Sequence, residues 1–498
     1  MKISKQAEFI LETLEEAGYE AYIVGGAVRD LLLDDNNQRR MDYDFATNAE
    51  PEKILEIFPE SFYENDFGTV MITEEDLCKQ AGLNIQYPIS NIQNKSDRLI
   101  NLANASKIHE SLPHPSGLAN SENQSPSPLN GEGLPNYEIT TYRSKELYSN
   151  FRKPEKLEWG ETIEEDLQRR DFTINAMALG SDLRLVDPFS GQKDLEKKLI
   201  RAVGDPHTRF QEDALRMLRA IRFSVELNMQ IDDDTFAAIK NNADLIRNIS
   251  WERIRDELLK MLASNYPAEA IELLEQTNLL ADILPELLEG KRVEQGGHHN
   301  TDVWTHSLDA LRYCPSFNPI VRLATLLHDI AKPRTKKIIN GNITFYNHEI
   351  IGSRMAKKIA RRFKLSKYEL DQIFILVRYH MFYYQPQNTD ASIRRFMRKV
   401  GLENIDDILD LREADRLGSG ARKTSWRLEE MKQRMIEQLH QPMDTRDLAI
   451  NGHDLMKEFN LKPGPILGEI MQNLLEKVLD KPELNTKEKL LTEAKKLL

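Results

Sequence analysis

From about Asp205 to the C-terminus, nearly every segment of this chain spaces its apolar residues three and four apart, as in "DALRMLRAIRFSVEL" and "PAEAIELLEQTNLLADIL". That period belongs to helices packed through one face, and it excludes an all-β fold for more than half of the sequence. The N-terminal part alternates instead. A helical pattern at the start is followed by the strand-like "EAYIV", the helical "AVRDLLL", the strand-like "MDYDFA", the helical "EKILEIF" and the strand-like "GTVMIT". An α/β head on a long α-helical body is expected. One stretch breaks the pattern. Residues 75–135 become polar and then rich in Pro, Ser, Asn and Gly before the strand-like "YEITTYR" resumes, so they read as a disordered insertion.

The 498 residues leave room for three or four domains. No apolar run approaches the length of a membrane span, and the first residues lack the apolar core of a signal peptide. A cytoplasmic protein with no membrane partner is expected. Cys78 and Cys314 cannot build a disulfide framework, so any metal must be held by histidines and carboxylates. The net charge of −13 argues against a generally cationic coat for nucleic acid. Between Ser353 and Lys399, however, twelve Lys or Arg face only three acids. That patch suits either a solvated helix face or an RNA backbone.

The head carries a constellation. In "YIVGGAVRDLLL" a strand runs through Gly25 and Gly26 into a helix start, a turn that lets the backbone approach a phosphate. About fifteen residues later, "MDYDFA" sets Asp42 and Asp44 on one face of a strand and Tyr43 and Phe45 on the other. Two carboxylates so placed can jointly hold two Mg²⁺ ions roughly 3.5 to 4 Å apart, one activating a hydroxyl and one gripping a triphosphate. The reaction class is in-line nucleotidyl transfer. Glu138 in "YEITTYR" is the candidate third catalytic carboxylate.

"GGAVRD", "DYDFA", "RRDFTINAMAL", "DPFSG", "EDALRMLRAIRF" and "WERIRDELLKML" occur here in the order found in the tRNA nucleotidyltransferase and bacterial poly(A) polymerase family. They resemble its class II branch, over about Tyr19 to Leu288 apart from the insertion. The closing "INGHDLMKEFNLKPGPILGEI" looks like the family's tRNA-gripping helical region. The resemblance implies a polymerase-beta-like α+β head, a mixed sheet with helices, and Mg²⁺ on Asp42 and Asp44. It also implies nucleotide contacts from Gly25, Gly26, Arg29, Arg170, Asp171, Asn175, Asp213, Arg216, Arg219 and Arg222, with tRNA, CTP and ATP as partners. Residues 143–154, "RSKELYSNFRKP", lie where the family has a flexible loop that helps switch from C to A addition; this copy is less acidic, with Lys145 and Asn150 at positions often acidic.

Asp213 and Arg216 are three apart in a helical pattern, so they are expected to be neighbours on one face, as a salt bridge or as a base-reading pair. As a reading pair, Asp213 accepts from an exocyclic amine while Arg216 donates to the ring nitrogen beside it. Cytosine and adenine both offer that pattern. Uracil and guanine would leave buried polar groups unpaired.

Six of the eleven histidines fall between residues 298 and 380. His306, the adjacent His328 and Asp329, and Asp415 resemble the H…HD…D pattern of the HD phosphohydrolase superfamily, with His348 and His380 as ligands of a second metal. The ligand types suit Mg²⁺ or a divalent transition metal, and Asp329 can bridge two ions. Lys332, one turn on, is expected near a substrate phosphate.

The expected organisation is a nucleotidyltransferase head at 1–182, a helical neck at 183–290 that templates the nucleotide, an HD domain at 291–420 and a tRNA-binding region at 421–498. The function read from this is CCA addition to tRNA. Addition of A alone and poly(A) synthesis share the head, and CTP incorporation separates them. A phosphohydrolase with an RNA-binding head is the reading from another class.

Overall fold

Ser4 accepts a hydrogen bond from Ala7 N and so starts the helix Lys5–Glu16, whose Ala7, Ile10, Leu11 and Leu14 form one buried face. That face lies against strand β1 (Ala21–Val24). The coordinates are a computed structural model that describes residues 3–33, 43–63, 68–83, 136–148, 154–296 and 301–498. Further strands are β2 (Asp44–Thr47), β3 (Phe62–Tyr63), β4 (Thr69–Thr73), β5 (Asn136–Thr141), β6 (Arg143–Tyr148), β7 (Pro154–Trp159), β8 (Ala178–Leu179) and β9 (Leu185–Val186). Seven of these make a mixed sheet in the order β3-β4-β5-β2-β1-β8-β9, while β6 and β7 form, among the described residues, a separate two-stranded sheet. The β2–β5 pair is parallel, and the other neighbours in the sheet are antiparallel.

The alternation expected around "MDYDFA" is present. Tyr43 and Phe45 are buried with their rings 6.3 Å apart, and Asp44 is exposed at the start of β2. On β5, Tyr137 and Ile139 are buried on the face of Phe45, while Glu138 and Thr140 turn to the other face.

The insertion begins later than its composition suggests. Thr73 caps the helix Glu74–Ala81 by accepting from Asp76 N, left-handed Gly82 ends it, and Leu77 and Cys78 are buried beneath it. Short polar helices escape a reading based on composition when two apolar residues are enough to seat them. Residues 84–135 of the insertion lie outside the described residues. The strand ends flanking them are paired, Thr73 opposite Asn136.

The sheet also runs past the boundary expected at residue 182, because β9 pairs with β8. After it, the Asp187 carboxylate accepts from Gly191 N at 2.7 Å and from Gln192 N at 3.0 Å, starting the helix Gly191–Glu196. A Cβ on Gly191 would stand 2.2 Å from the Thr173 carbonyl oxygen, so "DPFSG" needs its glycine for close packing. In the neck, the helix Leu215–Leu227 packs against Trp251–Ala263 and Pro267–Gln276.

The chain divides into two compact units between Leu288 and Glu289, close to the boundary expected at 290. In the second unit the helices Val303–Arg312, Pro319–Leu327, His348–Arg362, Lys367–Tyr379 and Ile405–Gly418 pack on one another. A short hairpin, Lys337–Ile339 with Asn342–Thr344, departs from the expected all-α body. There is no break at residue 420. The helix Asp390–Val400 packs on Trp426–Gln438 and Pro465–Asp480, and Arg394 Nε donates to Leu479 O at 2.9 Å. Cys78 and Cys314 are both free and buried. Among the described residues, no helix is long and apolar enough to cross a membrane.

Candidate nucleotidyl-transfer and metal sites

β1, β2 and β5 bring the head's candidates together. The register sets Val24 beside Asp44 and Asp44 beside Glu138, so the two carboxylates leave adjacent parallel strands on one face of the sheet. Asp42 lies outside the described residues. Gly25 follows β1 with φ +72°, and a Cβ there would meet Arg170 Nη1 at 3.1 Å and Asp44 Oδ2 at 3.5 Å. The turn therefore needs glycine at 25, and it sits between a guanidinium and a carboxylate. Gly26 has no such need, since its Cβ would make only ordinary contact with Arg29 at 3.5 Å.

The arginines are held by carboxylates. Asp166, fully buried, accepts from Arg169 Nη2 at 2.7 Å and from Arg170 Nη2 at 2.9 Å. Burial pushes this carboxyl up, but the two guanidinia more than offset that, and it stays below the usual carboxylate range. Arg29 Nη1 donates to Asn175 Oδ1 at 3.0 Å, and Asn175 Nδ2 donates to Asp171 Oδ1 at 3.3 Å. Asp171 also accepts from Arg219 Nε at 2.7 Å; burial raises its pKa, and Arg219, Arg216 and Asn175 bring it below normal. Arg29, Arg219 and Arg222 all lie over the ring of Phe223, at 5.4, 5.2 and 4.2 Å from its centroid. Arg222 pairs with Glu257 at 2.9 Å, joining two neck helices.

Asp213 and Arg216 do not form the helical pair expected of them. Asp213 has an extended backbone between the helices Pro206–Glu212 and Leu215–Leu227, because its side chain accepts from Leu215 N at 3.0 Å and so starts the second helix. Its other oxygen accepts from Arg253 Nη2 at 2.7 Å. Arg216 donates instead to Glu212 at 2.7 Å and to Arg169 O at 2.9 Å. The sequence reading missed Arg253, Phe223 and Asp166. Asp166 was findable from its spacing of three and four to Arg169 and Arg170. Arg253 gives no local signal, being 40 residues from its partner.

In the second unit, six predicted ligands converge in a buried cluster. His328 and His380 follow the last residues of their helices, His348 begins one, and His306 and Asp415 lie within theirs. Nδ1 of His328, His348 and His380 donates to the carbonyl three residues back, to Thr325, Phe345 and Val377, at 2.7, 2.8 and 2.8 Å. Each therefore carries a proton on Nδ1 and turns its Nε2 toward the cluster. Nε2 of His306 and His328 are 3.2 Å apart, and those of His348 and His380 are 3.3 Å apart.

The donors form two sets, His306/His328/Asp415 and Asp329/His348/His380, with the donor atoms of each within 4.8 Å of one another. Asp329 joins them: Oδ2 is 3.1 Å from His328 Nε2 and Oδ1 is 3.3 Å from His348 Nε2. Imidazole and carboxylate donors gathered this closely could hold divalent metal ions. Lys332 Nζ is 2.6 Å from Asp329 Oδ2 and donates to Gln295 Oε1 at 2.6 Å. Burial alone would push His328 and His380 down. Asp329 and Asp415 reverse this at His328, which rises to about 10, while His380, beside His328 and His348, falls to about 3.

Part of the basic patch is spent internally. Lys357 pairs with Asp371, Arg378 with Glu349, and Arg395 and Arg398 with Glu476, whereas Arg354, Lys358 and Arg361 form an exposed stripe on one helix.

Known families match the head, the neck and the helical region that follows. The poly A polymerase head domain matches residues 21–98 and 119–201, domain 2 of tRNA nucleotidyltransferases matches 347–494, and the RNA- and SrmB-binding site of polymerase A matches 228–290. A CCA-adding enzyme of Ligilactobacillus salivarius is 32% identical over 99% of this chain and 96% of its own length. An A-adding tRNA nucleotidyltransferase of Deinococcus radiodurans is 36% identical over 63% of this chain and 75% of its own. The crystal structure of the Bacillus stearothermophilus CCA-adding enzyme in complex with CTP shares the fold with a TM-score of 0.66, at 24% identity over 99% of this chain and 98% of that one. The Thermotoga maritima CCA-adding enzyme complexed with tRNA aligns with a TM-score of 0.51 at 19% identity, over 100% of this chain and 97% of its own. By its match to the Ligilactobacillus enzyme along nearly the whole of both chains, this protein belongs to the class II CCA-adding enzymes, a family of tRNA nucleotidyltransferases.

Proposed function

We propose that this enzyme completes tRNA 3′ ends with CCA from CTP and ATP, in the cytoplasm. The observation that carries the reading is the alignment of Asp44 with Glu138 on adjacent strands, facing the Gly25 turn and Arg170. The tRNA 3′-oxygen bonds to the α-phosphorus, the α–β bridging bond breaks, and pyrophosphate leaves as the hydroxyl proton is lost. The exposed Asp44 carboxylate beside Glu138 fits the divalent ions of this chemistry, with Asp42 as their third holder. Bound there, Mg²⁺ supplies positive charge to the triphosphate and acidity to the 3′-hydroxyl. The chain supplies the rest: a glycine turn open to phosphate, and the guanidinia of Arg29 and Arg170 steadied by Asn175 and Asp166.

Base choice rests on Asp213 and Arg216. Each Asp213 oxygen spends one lone pair inside the protein and keeps one for the exocyclic amine of cytosine or adenine. Arg216 has three N–H groups engaged and two left for a ring nitrogen. Arg219, Arg222, Asp171 and Asn175 frame the same site through Phe223. The test uses tRNA ending at the discriminator base with CTP alone, ATP alone and both, followed by sequencing of the 3′ ends. CCA only when both are present supports the reading, and A without C would make the enzyme an A-adding one.

A second activity follows from the histidine cluster. Three imidazoles locked with Nε2 inward fit a pair of divalent metal ions held by His306, His328, Asp415, Asp329, His348 and His380. Such ions supply Lewis acidity to a phosphate ester, and Lys332 steadies Asp329. The substrate class is a phosphomonoester or 2′,3′-cyclic phosphate that blocks the hydroxyl needed by the head. Protein loaded with Ni²⁺, Mn²⁺ or Mg²⁺ should hydrolyse one of these, and failure on both makes the cluster a scaffold.

A further inference from the structure

The helix Leu215–Leu227 buries Met217, Leu218, Ile221 and Val225, and Phe223 is buried beside them at 6% exposure. What its ring meets, however, is charge. Arg29, from the helix Gly26–Leu32 of the head, and Arg219, one turn back on the ring's own helix, both lie over it. Two like charges brought to one ring repel each other, so something must hold them there. Two devices do. The first is polar: Arg29, Asn175, Asp171 and Arg219 form an unbroken chain of hydrogen bonds. The second is the ring itself, whose negative face attracts a guanidinium. A single residue sets both. Phe172 N donates to Asp171 Oδ1 at 2.8 Å, and the Phe172 ring meets Phe223 edge-on with centroids 5.8 Å apart.

The carboxylates leave most of each fork open. Arg219 gives Asp171 only its Nε, so among the described residues four of its five N–H groups have no partner, and its side chain is 34% exposed. Arg29 spends Nε on Asp30 and one N–H of Nη1 on Asn175, while its Nη2 lies 3.5 Å from where a Cβ on Gly26 would stand, at the glycine turn. Arg222 differs from both. It lies over the same ring, but Glu257 and Glu226 already match its charge. With the base edge assigned to Asp213 and Arg216, two open guanidinium forks beside a turn that admits phosphate suit the outer phosphates of a triphosphate. We infer that Phe223 is a positioning residue for nucleotide addition, its ring fixing Arg29 and Arg219 as a preset pair for the β- and γ-phosphates. The inference rests on nucleotide addition in the head. It adds the residue that sets the grip on the triphosphate, and an aliphatic side chain, which fills the space but has no face for a cation, cannot replace it.

The test compares full-length wild type with Phe223→Leu and Phe223→Met, which keep apolar bulk without an aromatic face, and with Phe223→Tyr, which keeps the face. With Mg²⁺ supplied, KM is measured for CTP, ATP and tRNA. Inhibition is measured with pyrophosphate, which offers phosphates alone, and with CMP, which offers base, ribose and one phosphate. Phe223→Leu should raise KM for CTP and ATP and the inhibition constant of pyrophosphate about tenfold, with CMP inhibition and KM for tRNA as in wild type. Phe223→Met carries the same expectation if Phe223→Leu does not fold, and Phe223→Tyr should stay within about twofold of wild type. Equal losses for pyrophosphate and CMP, or a lower melting temperature with every constant unchanged, would make Phe223 ordinary core and overturn the inference. Wild type that adds A but never C, with its use of ATP still dependent on Phe223, would overturn the CCA reading and leave the inference standing.

Discussion

The two candidate metal sites of this chain solve the same electrostatic problem in opposite ways. In the head, Asp44 is exposed at the start of its strand, and no histidine belongs to the proposed set. In the second unit, His306, His328, Asp329 and His380 have essentially no exposure and two carboxylates are shared among four imidazoles. Hard oxygen ligands in the open suit an ion that arrives with a triphosphate and leaves with pyrophosphate. Imidazoles sealed in a core suit an ion that stays. The difference teaches that burial and ligand type together distinguish a visiting cation from a resident one.

The comparison breaks most decisively if the sites fail together. Asp44→Ala should lower nucleotide addition by about 10³-fold or more while metal content of the purified protein and phosphate-ester hydrolysis stay as in wild type. His328→Ala/Asp329→Ala should do the converse, with normal addition to intact tRNA. Loss of both activities in either variant would show one coupled machine.

Within the second unit the bridge is the next point of attack. Asp329→Ala removes the carboxylate that belongs to one donor set and whose other oxygen lies 3.1 Å from His328 of the other, so metal analysis should find both positions weakened, whereas Asp415→Ala should spare the Asp329/His348/His380 set. Equal metal content in the two variants would refute the division into sets. Within the head, Asp213→Ala should cost about tenfold to a hundredfold in kcat/KM for CTP and ATP alike and should admit UTP or GTP, because about 1 to 3 kcal/mol of hydrogen bonding to the base edge is lost. Arg253→Ala, which frees the Asp213 carboxylate without removing it, should show the same loosening to a smaller degree.

The smallest effect concerns pH. The Asp166 carboxyl lies below its usual value of 3.8 in the folded state, so it contributes stability above about pH 4 that is lost as the pH falls toward the folded pKa. Thermal unfolding between pH 5 and 3 should therefore be less pH-dependent in Asp166→Asn than in wild type.

Much of this architecture was legible because it is periodic. The strand of Tyr43 and Phe45, the helix of Ile10 and Leu14, and the helical body all follow from apolar spacing. The six residues of the histidine cluster were legible because their types are rare together. What was not legible depended on contacts distant in sequence or on single residues. Asp213 looks helical in sequence, yet its own side chain claims Leu215 N and breaks the helix there. The helix Glu74–Ala81 hides in polar composition, and only the burial of Leu77 and Cys78 gives it away. The sheet's last strand, Leu185–Val186, is two residues long and carries no pattern of its own.

The three imidazole N–H groups that donate to Thr325, Phe345 and Val377 also make the cluster its own spectroscopic reporter. A ring proton held by a carbonyl inside a sealed core exchanges slowly with solvent and resonates far downfield, clear of the amide envelope. Each proton sits on the same ring as a nitrogen that faces the cluster, so filling either half shifts its own resonances: His328 for one set, His348 and His380 for the other. Occupancy of the two halves can therefore be followed separately in the intact protein, without a substrate, as a titration of three countable signals.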